Sequence, residues 1–180
     1  MASIPGHDRY SVFGLRAFIF QIPGVRSKEG GQCYRPHTRR GEEWPPVMME
    51  VGYSEGVDSL RLDAEWWLVN SQGKTRFVII SKVERNPFAL RFECWMMVES
   101  GHRQTRRAPA QIPQCVQDFD IDEAGVVVST LGCTKLEIPY DCIFDGPGPD
   151  PPLPPVTFSL AELSHFAVWT FAMLQWYFPL

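Results

Sequence analysis

The sequence predicts an α/β fold organised around a strand–helix–strand unit. Two apolar, β-branched runs, Val47–Tyr53 and Arg76–Val83, flank a segment whose apolar residues recur at helical spacing. A third apolar run, Leu90–Val98, follows a turn signal at Asn86-Pro87. Strands joined by a helical crossover are parallel, and strands joined by a short turn are antiparallel. We therefore expect a mixed β-sheet with a central parallel βαβ unit and flanking helices.

Length and composition indicate one domain with a substantial core. The chain has 180 residues, of which 44% are hydrophobic and 13% aromatic. We interpret residues 1–180 as a single domain with a core over 10–144, a proline-rich linker over 145–155 and a docked helix over 159–177. The net charge of −4 gives no overall attraction to nucleic acid, so nucleic-acid binding would need a local basic patch.

The cysteines and the two ends of the chain indicate an intracellular protein. The 5 cysteines include no CxxC pair, so we expect reduced thiols that fill the core. The first residues carry no convincing secretory signal, which predicts a cytoplasmic or nuclear protein that is not secreted. Glu162 and Gln175 interrupt the apolar segment Leu160–Leu180, so we expect it to dock on the domain and not to enter a membrane.

The first half of the chain is expected to form three extended segments and a helix. Tyr10–Ile22 is rich in Phe, Val and Ile, and Gln32–Arg35 is a short extended piece. Pro45-Pro46 excludes a helix and starts the strand that ends at Tyr53. The helix is expected over Val57–Val69, with Ser54 as a candidate N-cap and one apolar face, which carries Leu60, Ala64, Trp67 and Leu68.

The second half is expected to contain a loop, a hairpin and a final helix. Ser100–Gln114 is polar and predicts a loop, and Gly132-Cys133 predicts the turn of a hairpin between Val126–Leu131 and Thr134–Ile138. Ser159 and Glu162 have the spacing of a capping box. The residues of the last helix that we expect to pack on the domain are Leu160, Leu163, Ala167, Phe171 and Leu174.

A carboxylate inside a buried strand is the main candidate functional residue. We expect one face of this strand to be hidden, and that face carries Val47, Met49 and Val51. Glu50 projects from the other face, because side chains alternate along a strand. A buried carboxylate is costly unless it is paired, hydrogen-bonded or bound to a metal. A divalent cation that meets a phosphate is one interpretation; a nearby arginine or the amides of a helix N-terminus are the other.

Four motifs around Glu50 resemble a branch of the PD-(D/E)xK nuclease superfamily that is abundant in fungal genomes. They are Tyr34-Arg35-Pro36, Trp44-Pro45, the Glu-Val-Gly-Tyr-Ser-Glu run Glu50–Glu55 and the Leu-Arg-Leu-Asp-Ala-Glu-Trp-Trp-Leu run Leu60–Leu68. The resemblance implies a restriction-endonuclease-like core and a fungal source. It covers about a third of the chain clearly, and extends loosely to the last helix.

The resemblance implies a metal-dependent site for phosphodiester hydrolysis. In the superfamily two acidic ligands hold Mg²⁺, which polarises the phosphate and activates water, and a lysine usually assists. Glu50 stands at the second acidic position, whereas the first carries the neutral pair Gly31-Gln32 and the lysine position carries Gly52. We therefore expect Gln32 and Glu50 to be weak ligands for Mg²⁺ or Mn²⁺.

Other basic residues are candidates for the missing charge and for nucleic-acid binding. Lys82 on the neighbouring strand or Arg61 on the helix would replace the catalytic lysine; solvated or ion-paired side chains are the alternative. A phosphate-tracking rim is the hypothesis for six arginines, with solvated loops as the alternative: Arg35, Arg39, Arg40, Arg103, Arg106 and Arg107.

Three functions remain open from the sequence. The first is a divergent nuclease-like protein with weak or lost Mg²⁺- or Mn²⁺-dependent phosphodiester hydrolysis. The second is a non-catalytic binding or accessory protein on the same fold. It would contact a protein partner or a second copy through the cleft around Glu50 or through the aromatic C-terminal helix. The third is an enzyme repurposed for small-molecule chemistry, because a fold does not fix a function.

Overall fold

A mixed β-sheet is the centre of the fold. The computed structural model describes residues 12–20, 28–36, 44–100, 111–144 and 153–177. Within these residues seven strands lie side by side in chain order. They are β1 (Val12–Phe20), β2 (Lys28–Pro36), β3 (Val47–Gly52), β4 (Phe77–Arg85), β5 (Phe88–Glu99), β6 (Gln111–Asp122) and β7 (Val127–Val128).

Three helices and a small second sheet complete the described part of the chain. Helix α1 (Val57–Asn70) connects β3 to β4, and the short helix α2 (Tyr140–Ile143) follows strand β8 (Lys135–Ile138). Strand β9 (Val156–Ser159) pairs antiparallel with β8 and leads into helix α3 (Leu160–Tyr177).

The parallel unit predicted from the sequence is confirmed. Strands β3 and β4 are parallel, with Glu50 beside Ile80, and β4 and β5 are antiparallel, with Ile80 beside Glu93. The β1–β2, β2–β3, β5–β6 and β6–β7 pairs are antiparallel as well. The α/β class and the mixed sheet are therefore as expected, and the restriction-endonuclease-like core remains a prediction.

Helix α1 covers one face of the sheet, and this changes which residues of β3 are hidden. Glu50 is 6% exposed, whereas Val51 is 51% exposed. The expectation that Val51 is hidden is therefore wrong: α1 covers the Glu50 face, and on the opposite face the core includes Val47 but does not extend to Val51. Besides Met48, the buried core on the α1 face comprises Cys33, Leu60, Ala64, Trp67, Leu68, Val78, Ile80 and Trp95.

Backbone groups, and not a serine, begin helix α1. The N-cap is Gly56, which makes no side-chain capping hydrogen bond, and its carbonyl oxygen accepts from the Ser59 and Leu60 amides. The predicted cap Ser54 is therefore wrong. Gln72 and Gly73 have φ angles of 55° and 80°, and this left-handed pair turns the chain away after the helix.

Two predictions for the second half are wrong. Gln111–Gln114 belongs to strand β6, which pairs with β5 along its length, so this part of the predicted loop is a strand. The predicted hairpin does not form, because β7 pairs with β6 while β8 pairs with β9. The Asp118 carboxylate accepts the amides of Thr130 and Leu131 at 3.2 and 2.9 Å and so holds the connecting segment against β6.

Helix α3 covers the opposite face of the sheet. Its capping box forms: the Ser159 amide donates to Glu162 at 2.8 Å, and the Glu162 amide donates back to Ser159 Oγ at 3.3 Å. Leu163, Ala167 and Phe171 are buried in the core on this face, which also contains residues of β4, β5, β6 and α2. Residues 145–152 of the predicted linker lie outside the described residues.

The helices of the described residues can be compared with the length and apolar character of a membrane-spanning helix. None of these helices combines the length and the apolar character that crossing a bilayer requires.

Truncation of Phe171 should destabilise the domain strongly. Phe171 is buried and its ring lies 5.8 Å from that of Phe88, so Phe171→Ala leaves a cavity between α3 and β5. We expect a loss of about 3–5 kcal/mol in the free energy of unfolding, measured by urea denaturation. Leu62→Ala, at an exposed position of α1, is the control and should change it by less than about 0.5 kcal/mol. Equal effects of both variants would contradict this packing.

Candidate functional site

The buried carboxylate of Glu50 accepts a hydrogen bond from an indole. Trp67 on α1 is fully buried, and its Nε1–H donates to Glu50 Oε1. The Trp67 ring is held edge-on by Trp44 and Trp66, with ring centroids 5.6 and 5.0 Å away. An aromatic cluster therefore fixes the indole donor opposite the one candidate metal ligand that carries charge.

Gly31 is the residue of β2 that faces Glu50. A Cβ atom placed on Gly31 would lie 3.8 Å from Glu50 Oε2 and 3.1 Å from the backbone oxygen of Met49. Gly31 is also exposed. The position from which a second carboxylate could approach Glu50 is therefore occupied by a residue with no side chain.

Gln32 does not share a site with Glu50. Gln32 pairs directly with Met49, and directly paired residues project from the same face of a sheet, so Gln32 and Glu50 lie on opposite faces. The Gln32 side chain instead accepts from the Tyr34 hydroxyl at 3.3 Å. The expectation that Gln32 and Glu50 are joint metal ligands is wrong, because side chains alternate at every residue along a strand.

Lys82 lies on the Glu50 face but binds backbone oxygens. It pairs with Gly52, and its Cδ would be 3.2 Å from a Cβ atom placed there. Its ammonium group donates to the carbonyl oxygens of Tyr53 and Val83 and lies 3.4 Å from a carboxylate oxygen of Glu84. The aliphatic part of Lys82 thus fills the space above Gly52, while the charge is held at the end of β3.

Position 52 has no room for a side chain. A Cβ atom on Gly52 would lie 2.5 Å from Leu60 Cδ1, far inside the normal contact distance. The close approach of Leu60, together with that of Lys82, explains physically why a glycine occupies position 52.

Glu93 is a second buried carboxylate, and the sequence analysis missed it. Glu50 and Glu93 flank Ile80 in one row across β3, β4 and β5, on the α1 face. Glu93 accepts two hydrogen bonds from Arg61, at 2.6 and 3.0 Å, and one from the Trp95 indole at 3.1 Å. The signal was available, because Glu93 interrupts the apolar run Leu90–Val98 just as Glu50 interrupts its own strand.

Arg61 is an ion-pair partner of Glu93. Its guanidinium contacts Glu93 through two nitrogens and Asp58 through the third, at 3.1 Å. The hydrogen bond to Glu93 raises the pKa of Arg61, against the opposing effect of burial. This geometry ties Arg61 to the α1–β5 contact, where it stabilises a buried charge.

The cysteines contribute to packing, and burial keeps the thiols of Cys115 and Cys142 protonated. None of the five cysteines, which all lie in the described residues, forms a disulfide, and three of them, Cys33, Cys94 and Cys142, are buried. Burial raises the pKa of Cys142 to about 12 and that of Cys115 to about 11. Neither thiol is therefore an activated nucleophile at neutral pH.

The predicted basic rim is described at one position. Arg35 is half-buried on β2. The remaining members of the rim lie outside the described residues: Arg39, Arg40, Arg103, Arg106 and Arg107. Their role in nucleic-acid binding stays a prediction.

The donor set around Glu50 does not fit a divalent cation. Mg²⁺ and Mn²⁺ favour several oxygen ligands, with carboxylates to balance their charge. In the part of the chain that the structure describes, no three His, Cys, Asp or Glu side chains are grouped so that they could hold a metal ion. Glu50 instead has an indole donor on one oxygen and a glycine near the other.

Comparison of the chain with protein-family models, with curated proteins and with solved structures gives no match. The likeness to PD-(D/E)xK nucleases therefore rests on the sequence motifs.

Removal of the Arg61 side chain should cost far more stability than removal of its exposed partner. Arg61→Ala leaves the buried Glu93 carboxylate with the Trp95 indole alone. We expect a loss of about 2–3 kcal/mol in the free energy of unfolding, below the value for a fully buried pair because Arg61 is partly exposed.

Asp58→Ala is the matched control, because Asp58 is exposed and contacts the same guanidinium. Urea denaturation should give Asp58→Ala a free energy of unfolding close to that of the unmodified chain. If Arg61→Ala were equally mild, the Glu93 ion pair would contribute little to the α1–β5 contact.

Proposed function

We propose that this chain is a nuclease-like protein in which metal-dependent phosphodiester hydrolysis has been lost and which acts as a non-catalytic binding protein. One observation carries the proposal: the Glu50 carboxylate accepts from the Trp67 indole and faces Gly31 in place of a second acid. The motifs that resemble the PD-(D/E)xK superfamily support the nuclease-like part of the proposal. The geometry around Glu50 supports the loss of hydrolysis.

The indole hydrogen bond is a poor arrangement for metal catalysis. An N–H donor takes one of the roughly four lone-pair positions of the carboxylate and presents its positive end to that oxygen, which makes the carboxylate a weaker ligand for a cation. With one carboxylate, the site would place less negative charge around Mg²⁺ than a two-carboxylate site does, and affinity falls with ligand charge. The Trp67–Glu50 contact instead suits a structural role, in which it satisfies a buried charge.

A binding role is supported by the surface of α3. Trp169 and Trp176 are exposed on this helix. Large exposed aromatic side chains are typical of interaction surfaces.

Residual hydrolysis is the second candidate, and the position of Lys82 favours it. Lys82 lies on the Glu50 face, beside the position of the superfamily's lysine. Its hydrogen bonds to the Tyr53 and Val83 carbonyl oxygens count against this role, since the ammonium group would have to leave them to reach a phosphate.

A carboxylate added at residue 31, and not at residue 32, should create a metal site. Gly31→Asp places its side chain on the Glu50 face, whereas Gln32→Asp projects from the opposite face. We expect Mn²⁺ binding to appear in Gly31→Asp and to stay unchanged from the parent chain in Gln32→Asp, measured by calorimetry.

The Gly31→Asp/Glu50→Gln double variant should lose this binding again, and thermal melts should show that each variant is folded. If Gln32→Asp gained affinity, or if the parent chain bound Mn²⁺ as tightly as Gly31→Asp, the assignment of residue 31 to the site would be wrong.

The purified chain should cleave DNA slowly or not at all. Loss of even one hydrogen-bond donor that stabilises a transition state costs about 10²–10³ in rate, and this site lacks both an acid and a lysine at the positions that the resemblance implies. We expect no robust cleavage of single- or double-stranded DNA with Mg²⁺ and at most weak cleavage with Mn²⁺.

Glu50→Gln is the suitable control because its amide oxygen still accepts from Trp67. It should abolish any residual cleavage without unfolding the protein. Fast cleavage that disappears in Glu50→Gln and in Lys82→Gln would overturn the proposal and favour the second candidate.

A further inference from the structure

An apolar stripe runs along the outward face of α3. It comprises Phe166, Trp169, Met173 and Trp176, which are 46%, 58%, 38% and 81% exposed. Their spacing of three, four and three residues is the spacing at which a helix packs on another helix. Trp169, Met173 and Trp176 lie away from the buried face that carries Leu163, Ala167 and Phe171, whereas Phe166 lies at the edge of the stripe, with its ring centroid 6.0 Å from that of Phe92.

We propose that this stripe binds the same stripe of a second copy, so that the two α3 helices pack antiparallel in a twofold dimer. The spacing reads the same in both directions about residue 171. A twofold axis at that point pairs Trp169 with Met173 of the partner subunit, and Phe166 with Trp176 of the partner subunit. Self-complementarity of this kind is what a twofold interface requires.

The charge of the helix favours a second copy over other occupants. Of the 18 residues of α3, Glu162 is the one with a full charge, and it lies in the first turn, in the capping box. Two such helices can approach without repulsion between like charges along the stripe. An anionic lipid surface is disfavoured because the helix has no lysine or arginine.

The exposed area fits a weak, concentration-dependent dimer. At about 150–250 Å² per large aromatic side chain, the exposed parts of Phe166, Trp169 and Trp176 amount to about 300–450 Å² per copy. Two copies would bury about 600–900 Å² from these side chains, and Met173 adds more, which approaches the roughly 1,000 Å² of a small specific interface.

Sedimentation equilibrium over a range of protein concentrations tests the dimer. We expect reversible dimerisation of the unmodified chain, weakened by at least about tenfold in Trp169→Lys and in Met173→Glu, because both residues lie at the centre of the interface. Leu62→Lys, at an exposed apolar position of α1, is the control and should leave the dimer intact. Circular dichroism should show all three variants folded.

A mixing experiment tests the antiparallel orientation. An equimolar mixture of the Trp169→Lys chain and the Met173→Glu chain brings the two new charges together at one contact and keeps a native Trp169–Met173 contact at the other. The mixture should therefore dimerise more tightly than either variant alone. Absence of recovery would overturn the antiparallel pairing.

A parallel dimer would also recover on mixing, because mixing separates the like charges that face each other in each variant alone, so the Trp169→Lys/Met173→Glu double variant decides between the orientations. It pairs opposite charges in an antiparallel dimer and like charges in a parallel one, so a double variant that dimerises more weakly than both single variants would overturn the antiparallel pairing.

Three further outcomes would overturn the proposal. They are a monomer at every concentration, a dimer unaffected by the stripe variants, and a monomer that floats with neutral phosphatidylcholine vesicles through Trp169 and Trp176. The last would assign the stripe to a lipid surface. All are independent of metal binding at Glu50, so the dimer can fail while the proposed loss of hydrolysis stands, and the reverse.

Discussion

The structure depends on how two carboxylates are buried under one helix. Glu50 and Glu93 flank Ile80 on the face that α1 covers, and each carboxylate accepts an indole N–H. Unsatisfied, each buried charge would cost several kcal/mol. The tryptophans and Arg61 that satisfy them also fix how α1 lies on the sheet. Glu50, which suggests chemistry in the sequence, is thus, together with Glu93, a constraint on packing in the structure.

This packing explains the departures from the nuclease pattern. Gly52 is required by the close approach of Leu60, and Lys82 covers the same space from β4. Gly31 leaves Glu50 without a second acid, and the indole of Trp67 is the donor in its place. Each change suits the stability of the α1–sheet contact better than it suits the binding of a cation.

The two faces of helix α3 have different surroundings. Its inner face completes the core on the side of the sheet opposite α1, and its capping box fixes where it begins. Its outer face is equally apolar but exposed. The inner face contributes stability through Phe171, and we propose that the stripe around Trp169 on the outer face serves binding.

The sequence by itself determined the elements whose signals are local. The existence of strand β3, the helical face of α1, the turn before β5 and the capping box of α3 each depend on neighbouring residues. The tertiary structure decided what depends on strand pairing. Strand β6 is polar at alternate positions and forms because β5 offers it a partner, and β7 and β8 separate because their pairing partners differ. The same distinction holds for the site. A buried acid at Glu50 was predictable from its own strand. The register that turns Gln32 away from Glu50 and Gly31 toward Glu50 depends on the pairing of two strands, which no local pattern encodes.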